Sequence, residues 1–277
     1  MLLVIDVGNT NTVLGVFEGK ELKAHWRLTT NREQTADEYG ILIRNLFSLE
    51  GIEPSRIDGM MIASVVPPLN ALLEEMAKKY FKLEALFLEP GTRTGMPIHY
   101  DNPSEVGADR IANAVAAFEK YGGPCVIVDF GTAITFDAVS EKGEYLGGVI
   151  CPGLGIAAEA LFERAARLPR VEIREPERVI GTNTVASMQS GLFYGAVGLL
   201  DGVLDRVCAV LGSGTRVVAT GGQAELVASA SRYKVPVDSS LTLDGLRLIY
   251  ERNVESRHNL KARRTKSRDL KPAVSRK

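Results

Sequence analysis

The sequence predicts an α/β protein of two lobes, each a duplicated βββαβαβ unit, with the active site in the cleft between them. Three observations carry this. Asp6-Val7-Gly8-Asn9-Thr10-Asn11-Thr12-Val13 returns 123 residues later as Asp129-Phe130-Gly131-Thr132-Ala133-Ile134-Thr135-Phe136. In each copy an apolar run (Leu2 to Ile5, then Cys125 to Val128) ends at an Asp, and a Gly two residues on permits a tight turn into another β-rich run. The strand and helix patterns that follow each copy then come in the same order.

Strands are predicted at 2–6, 11–17 and 21–28, turned at Gly8 and at Glu18-Gly19-Lys20. A helix at 34–49 ends at Glu50-Gly51, and strand 57–64, helix 68–80 and strand 83–88 complete the first unit. The second unit opens with strands at 124–129, 132–139 and 144–150 and continues with helices from about 153 to 165 and from 183 to 211. Strand 215–219, helix 222–231, a short strand at 234–236 and a last helix at 242–252 finish it. The N-terminal lobe is placed at residues 1–117 and the C-terminal lobe at 118–253. A basic tail over 254–277 is expected to be disordered or a frayed helix.

Turns of this composition suit an anion. Gly8 and Gly131 have no Cβ to keep a phosphate from the backbone N–H groups, while Asn9, Thr10, Asn11 and Thr132 add short donors. Asp6 and Asp129 stand at the mouth of the cleft, where a hydrated cation bridging to phosphate can sit. One Asp/Gly hairpin alone is an ordinary turn. Its repetition at the scale of a lobe, with Asp, Gly and Thr in matched positions, is what favours a site. No Lys lies between Asp6 and Gly15, unlike the Walker P-loop, so neutralisation has to come from Mg²⁺, a monovalent cation, backbone dipoles or a distant Arg.

Between the halves, Thr92 to Pro103 is extended and rich in turn residues, and it leads into Gly107-Ala108-Asp109-Arg110. Ile111, Ala114, Val115 and Phe118 recur at helical spacing, which puts Asp109 and Arg110 in the first turns of a helix. An acid there is favoured by the helix dipole; it can equally be a general base with Arg110 as a neighbouring anion clamp. Spacing weighs the two readings evenly.

Composition excludes several classes. With 277 residues, 45% of them hydrophobic and 24% charged, the chain can bury two cores. No apolar run reaches the roughly 18 residues of a membrane span, and the N-terminus has neither a basic segment nor a cleavage site, so a cytoplasmic protein is expected. Cys125, Cys151 and Cys208 show no metal-ligand pattern and read as reduced thiols. The net charge of −1 hides an asymmetry: residues 251–277 hold ten Lys/Arg against three Asp/Glu. A solvated terminus is the favoured reading of that run, with no nucleic-acid role assigned.

The paired Asp-x-Gly hairpins, with Gly221-Gly222-Gln223 between a strand and a helix, resemble the superfamily of acetate and sugar kinases, heat-shock ATPases and actin. Its members bind ATP between two ribonuclease-H-like lobes. Within it, Asp6 to Asn11, Gly107 to Arg110 and Asp129 to Ala133, in that order in a chain this short, are similar to type III pantothenate kinases, from residue 1 to about 252. The resemblance implies ATP-dependent phosphorylation of pantothenate to 4'-phosphopantothenate, the first step of coenzyme A biosynthesis. Carried over residue by residue, Asp109 takes the proton of the attacking hydroxyl. Asp6, Val7, Gly8, Asn9, Thr10, Asn11, Thr12 and Val13 hold the β- and γ-phosphates, with Asp6 near Mg²⁺. Gly131 and Thr132 meet phosphate from the second lobe, and Gly221 and Gly222 seat the adenine. Tyr100, Gly107, Ala108, Asp109, Arg110 and Thr184 form the pantothenate pocket, and Asp129 holds K⁺ or NH₄⁺. Tyr100 also reads as a core aromatic, Thr184 as a helix cap, and Gly221-Gly222 as a plain strand-to-helix turn. The family's pocket is completed across a homodimer, for which the stripe Met188, Leu192, Phe193, Val197 and Leu200 is either the interface or a core. Pantothenate and a second copy are the expected partners, with no membrane and no nucleic acid. A non-catalytic regulator of the same fold and a kinase for another small alcohol are the rivals.

Overall fold

The computed structural model describes the backbone of residues 1–269 and the side chains of residues 1–255. Its first sheet is built from β1 (Leu2–Val7), β2 (Asn11–Glu18), β3 (Glu21–Thr29), β4 (Gly59–Ser64) and β5 (Leu86–Phe87), in the order β3-β2-β1-β4-β5. The second uses β6 (Cys125–Phe130), β7 (Ala133–Val139), β8 (Tyr145–Pro152) and β9 (Arg216–Thr220), in the order β8-β7-β6-β9. In both, the strand carrying the Asp pairs antiparallel with its hairpin mate and parallel with a later strand. The duplication seen in the sequence is therefore a duplication of sheet topology.

Alternation within β1 decides which helices cover which face. Leu3, Ile5 and Val7 face one way and pack with Tyr39, Ile43 and Phe47 of α1 (Ala36–Leu49) and Leu73 and Met76 of α2 (Asn70–Met76). Leu2 and Val4 face the other way, toward α3 (Ala108–Tyr121) and α7 (Leu241–Asp269). In the second sheet Val126 and Val128 pack on Leu200 and Leu204 of α5 (Thr184–Leu211) and Val227 of α6 (Ala224–Ala228), with α4 (Leu154–Arg164) completing that side. Thr35 starts α1 with a capping box: its hydroxyl accepts from Glu38 N–H while the Glu38 carboxylate accepts from Thr35 N–H.

Several expected elements differ for identifiable reasons. The helix expected at 68–80 is regular only to Met76; Ala77–Phe81 widens into a π turn that Lys82 closes in the left-handed region. The helix expected at 222–231 shrinks to α6. The strand expected at 234–236 is one parallel bridge between Ala219 and Val237, because Pro236 has no N–H to extend a ladder. The last helix, expected at 242–252, runs on as α7 to Asp269, so backbone placed in the tail is helical to that point; residues 270–277 lie outside the described residues.

The boundary at 117/118 falls inside α3, and α7, the last element of the second unit, packs across onto β1, β2 and β4. Gly15 of β2 and Gly59 of β4 make room for it: a Cβ at Gly15 would lie 2.9 Å from Leu243, and one at Gly59 would lie 2.1 Å from the Tyr250 hydroxyl. Helices α3 and α7 thus fill the space between the two sheets, with Leu246 and Ile249 in one core with Ile127.

Candidate active site

Both hairpins turn at the Gly that follows the Asp, but not identically. Gly8 N–H donates to the Asn11 carbonyl at 2.9 Å, and Gly131 N–H to the Ala133 carbonyl at 3.1 Å, so the first turn is one residue longer. The tips meet: Thr10 and Thr132 hydroxyls are 2.9 Å apart across the cleft. Val7 and Thr12 are buried, and Thr12 is hydrogen-bonded to Thr30 at 2.9 Å, so these two offer a ligand only backbone. Thr30 also donates to the Gly8 carbonyl at 2.7 Å, and Arg32 to Asn9 Oδ1 at 3.0 Å. Thr30 and Arg32 are clamps on the turn that the sequence did not single out, since they lie beyond the next strand.

Three carboxylates influence one another electrostatically at the cleft. Asp6 ends β1, Asp129 occupies the equivalent place in β6, and Asp109 is in the first turn of α3. Burial raises the pKa of all three. For Asp6 the charges of Asp109 and Asp129 add to it, pushing it well above the carboxylate range. Asp129 is pushed up to about 7 by burial and by Asp109, against the Asn113 hydrogen bond and Arg27. Asp109 is also raised by burial, although Arg110 N–H donates to its Oδ1 at 2.8 Å and the Arg110 charge opposes the shift. Carboxylates held this close disfavour ionisation together and favour a cation among them. Among the described residues no three His, Cys, Asp or Glu side chains converge as a metal cage. Asp6, beside the Gly8 turn, offers one carboxylate, and Mg²⁺ takes one or two and fills the rest of its shell with phosphate and water.

Asn113, fully buried and one turn beyond Asp109, donates to Asp129 Oδ2 at 3.0 Å and accepts from the Thr242 hydroxyl of α7 at 2.7 Å. The i, i+4 relation to Asp109 was the available signal for it. Gly221, at φ +96°, follows β9; a Cβ there would lie 2.6 Å from Asp129 Oδ1 and from the Phe130 carbonyl, so only glycine fits. At Gly107 a Cβ would be 2.5 Å from Asp109 Oδ1, so a side chain there would push that carboxylate aside. Ala108, the next residue, opens α3 and lines a 720 Å³ pocket that extends over Val65, Phe87 and Met96.

Arg110 is 8% exposed and already committed. Its Nε donates to Asp137 Oδ1 at 2.8 Å, and Tyr145, whose hydroxyl donates to the same oxygen at 2.7 Å, lies with its ring 6.0 Å below the guanidinium. Tyr100 is half-buried, 6.4 Å from the Tyr145 ring and beside Gly147, and packs against the core between the sheets, as its core-aromatic reading expected. Asp137 and Tyr145 are the supports of this side of the cleft. Thr184 is elsewhere in the chain: exposed at the start of α5, it lines a 690 Å³ groove with Leu161, Met188 and Leu192. The helix cap there is Asn183, which accepts from Ala186 N–H at 2.9 Å, so the cap reading of Thr184 is corrected by one residue. In the stripe on α5, Met188, Leu192, Phe193 and Leu200 are buried and Val197 is half-buried; Leu200 and Val197 pack in the core of the second sheet, while Met188 and Leu192 line the groove beside Thr184.

A cleft between duplicated lobes, with Gly turns from each sheet and carboxylates that call for a cation, defines a nucleotide-dependent phosphotransferase of the actin-like class. The fold itself is shared with solved structures. The chain matches a Baf family transcriptional activator from Campylobacter jejuni (TM-score 0.58, 21% identity, 91% of this chain and 99% of that one). It also matches the activator of 2-hydroxyisocaproyl-CoA dehydratase from Clostridium difficile, solved with bound ADPNP (TM-score 0.51, 12% identity, 99% of both chains).

Sequence narrows the class. Residues 2–206 match the family model for type III pantothenate kinase. The chain is 60% identical to the type III pantothenate kinase of Koribacter versatilis over 263 residues (91% of this chain, 96% of the relative). It is also 60% identical to that of Myxococcus xanthus over 253 residues (91% and 99%). The chain belongs to the type III pantothenate kinase family, and it is an enzyme that phosphorylates pantothenate at the expense of ATP.

Proposed function

We propose that the γ-phosphoryl group of ATP moves to the primary alcohol of pantothenate with Asp109 as the base, giving 4'-phosphopantothenate for coenzyme A synthesis. The observation that supports this reading is the electrostatic influence of Asp109 and Asp129 on Asp6, and of Asp109 on Asp129, beside two Gly turns whose tips meet at the Thr10–Thr132 contact. The backbone of residues 6–13, with Gly131 and Thr132, holds the phosphates, and Gly221-Gly222 the adenine. Bound at Asp6, Mg²⁺ would neutralise phosphate charge and orient the chain of phosphates. Asp129, steadied by Asn113, is the ligand for K⁺ or NH₄⁺. Asp109 accepts the hydroxyl proton; its raised pKa places it nearer the working pH of a base than an exposed aspartate. Tyr100, Gly107, Ala108 and Arg110 wall the substrate.

Thr184 is exposed and lines a groove that none of the carboxylates borders, which supports a homodimer in which the partner supplies it. Gly191, Gly195 and Gly198 lie along α5 with open space where a Cβ would be, and Ile150, Ile156, Ile180 and Tyr194 are exposed nearby in the same lobe. No helix of the described residues is long and apolar enough to cross a membrane, and we place the enzyme in the cytoplasm.

The test is ADP release with ATP and Mg²⁺, with and without pantothenate, in K⁺, NH₄⁺ or Na⁺. Turnover that needs pantothenate and K⁺ or NH₄⁺ is expected. Turnover independent of pantothenate would refute the substrate, and equal rates in Na⁺ would refute the cation site. A monomer by light scattering with full activity would refute the shared pocket.

A further inference from the structure

The phosphate turn has no cation of its own, and the sheet register shows where one comes from. Asp6 pairs with Val13, and Val13 pairs with Arg27, so these three form one row across β1, β2 and β3. Directly paired residues share a face of the sheet. That face is the inner one, since Leu2 and Val4, in alternation with Asp6, belong to the core between the sheets. At about 4.8 Å per strand, Arg27 starts about 10 Å from Asp6, with the side chain of Val13 between them. Its guanidinium crosses the cleft: Nη1 lies 3.4 Å from where a Cβ on Gly222 would be. Its charge acts on Asp6 and Asp129 from there, opposing the rise in their pKa values. Among the described residues it is exposed and enters no ion pair. The other arginines near the turns are engaged, Arg32 with Asn9 and Arg110 with Asp137.

Resting on the kinase reading above, we infer that Arg27 is a nucleotide-binding residue that contacts the phosphate chain of ATP from β3, replacing the lysine that the turn lacks. An apolar residue between an acidic and a basic one makes a floor: the phosphates lie over Val13, with the metal end at Asp6 and the guanidinium at the other. A planar guanidinium can hold two phosphate oxygens at once. Because Gly222 has no side chain, the guanidinium reaches the second lobe unobstructed and closes the cleft over the phosphates.

The experiment measures equilibrium binding of ATP, ADP and AMP, each with Mg²⁺, by calorimetry on the full-length protein. Wild type is compared with Arg27→Gln and Arg27→Lys, and thermal protection by inorganic tripolyphosphate is read in parallel. A contact to an anionic group predicts that Arg27→Gln weakens ATP and ADP about 10- to 100-fold and removes tripolyphosphate protection, while AMP changes less than threefold. Arg27→Lys recovers part of the ATP affinity. Equal losses for ATP and AMP would place the contact on the nucleoside end and overturn the inference; so would unchanged ATP binding in Arg27→Gln. Wild type that binds no nucleotide would overturn the kinase reading itself, and this inference with it. Because Arg27 is exposed, the variant melts with wild type in the absence of ligand, which separates a lost contact from a lost fold.

Discussion

Replacing Asp129 with Asn isolates what it costs to hold that carboxylate charged. Its pKa rises from 3.8 in the unfolded chain to about 7 in the fold. Between those values the folded protein binds more protons than the unfolded chain. The group's contribution to stability is therefore whole below pH 3.8 and is lost as pH climbs toward 7. Each unit of separation is about 1.4 kcal/mol, so the loss is about 2 kcal/mol by pH 5 and about 4 kcal/mol by pH 8. Coupling to Asp6 and Asp109 spreads part of that cost, which makes about 4 kcal/mol a ceiling. Asn has the same shape, no charge, and an oxygen for the Asn113 amide. In urea melts without K⁺ or NH₄⁺, Asp129→Asn should gain up to about 4 kcal/mol over wild type at pH 8 and about 2 kcal/mol at pH 5. Added K⁺ should stabilise wild type at pH 8, where the carboxylate is ionised, and leave the variant unmoved. Equal gains at the two pH values, or a variant weaker than wild type at pH 8, would refute the idea that burial of charge dominates at Asp129.

Asp109→Asn should keep the fold and ATP affinity while kcat falls about 10²- to 10⁴-fold, as loss of a general base requires; near wild-type turnover would remove Asp109 from that role. Gly221→Ala forces a Cβ against the Phe130 carbonyl and Asp129 at φ +96°, and should cost about 1–3 kcal/mol in thermal melts together with most ATP binding. Removal of residues 255–277 should leave kcat/KM within about twofold, whereas a chain ending at 240 loses Leu241, Leu243, Leu246 and Ile249 from the core between the sheets and should not purify as a folded protein. Arg110→Lys cannot span Asp137 in the same way and should raise KM for pantothenate more than it lowers kcat, read by steady-state kinetics.

The repeat carried most of the architecture. An Asp at the end of an apolar run followed two residues later by Gly encodes a strand and a turn locally, so the two hairpins and the pairing of their strands could be read from residues 6–13 and 129–136 alone. Helical spacing after Gly107 likewise placed Asp109 in the first turn of α3. What the sequence could not contain was anything set by distance in space. Asn113, Asp137, Thr30 and Arg27 acquire their roles from partners that lie on other elements, so no local pattern marks them. The same reason hides the path of α7: its apolar residues announce a buried face, but only the packed structure decides that this last element of the second unit also packs across onto the first sheet. Local propensity and periodicity fix elements and turns; which charges meet across the cleft, and therefore which carboxylates resist ionisation, is a property of the assembled lobes.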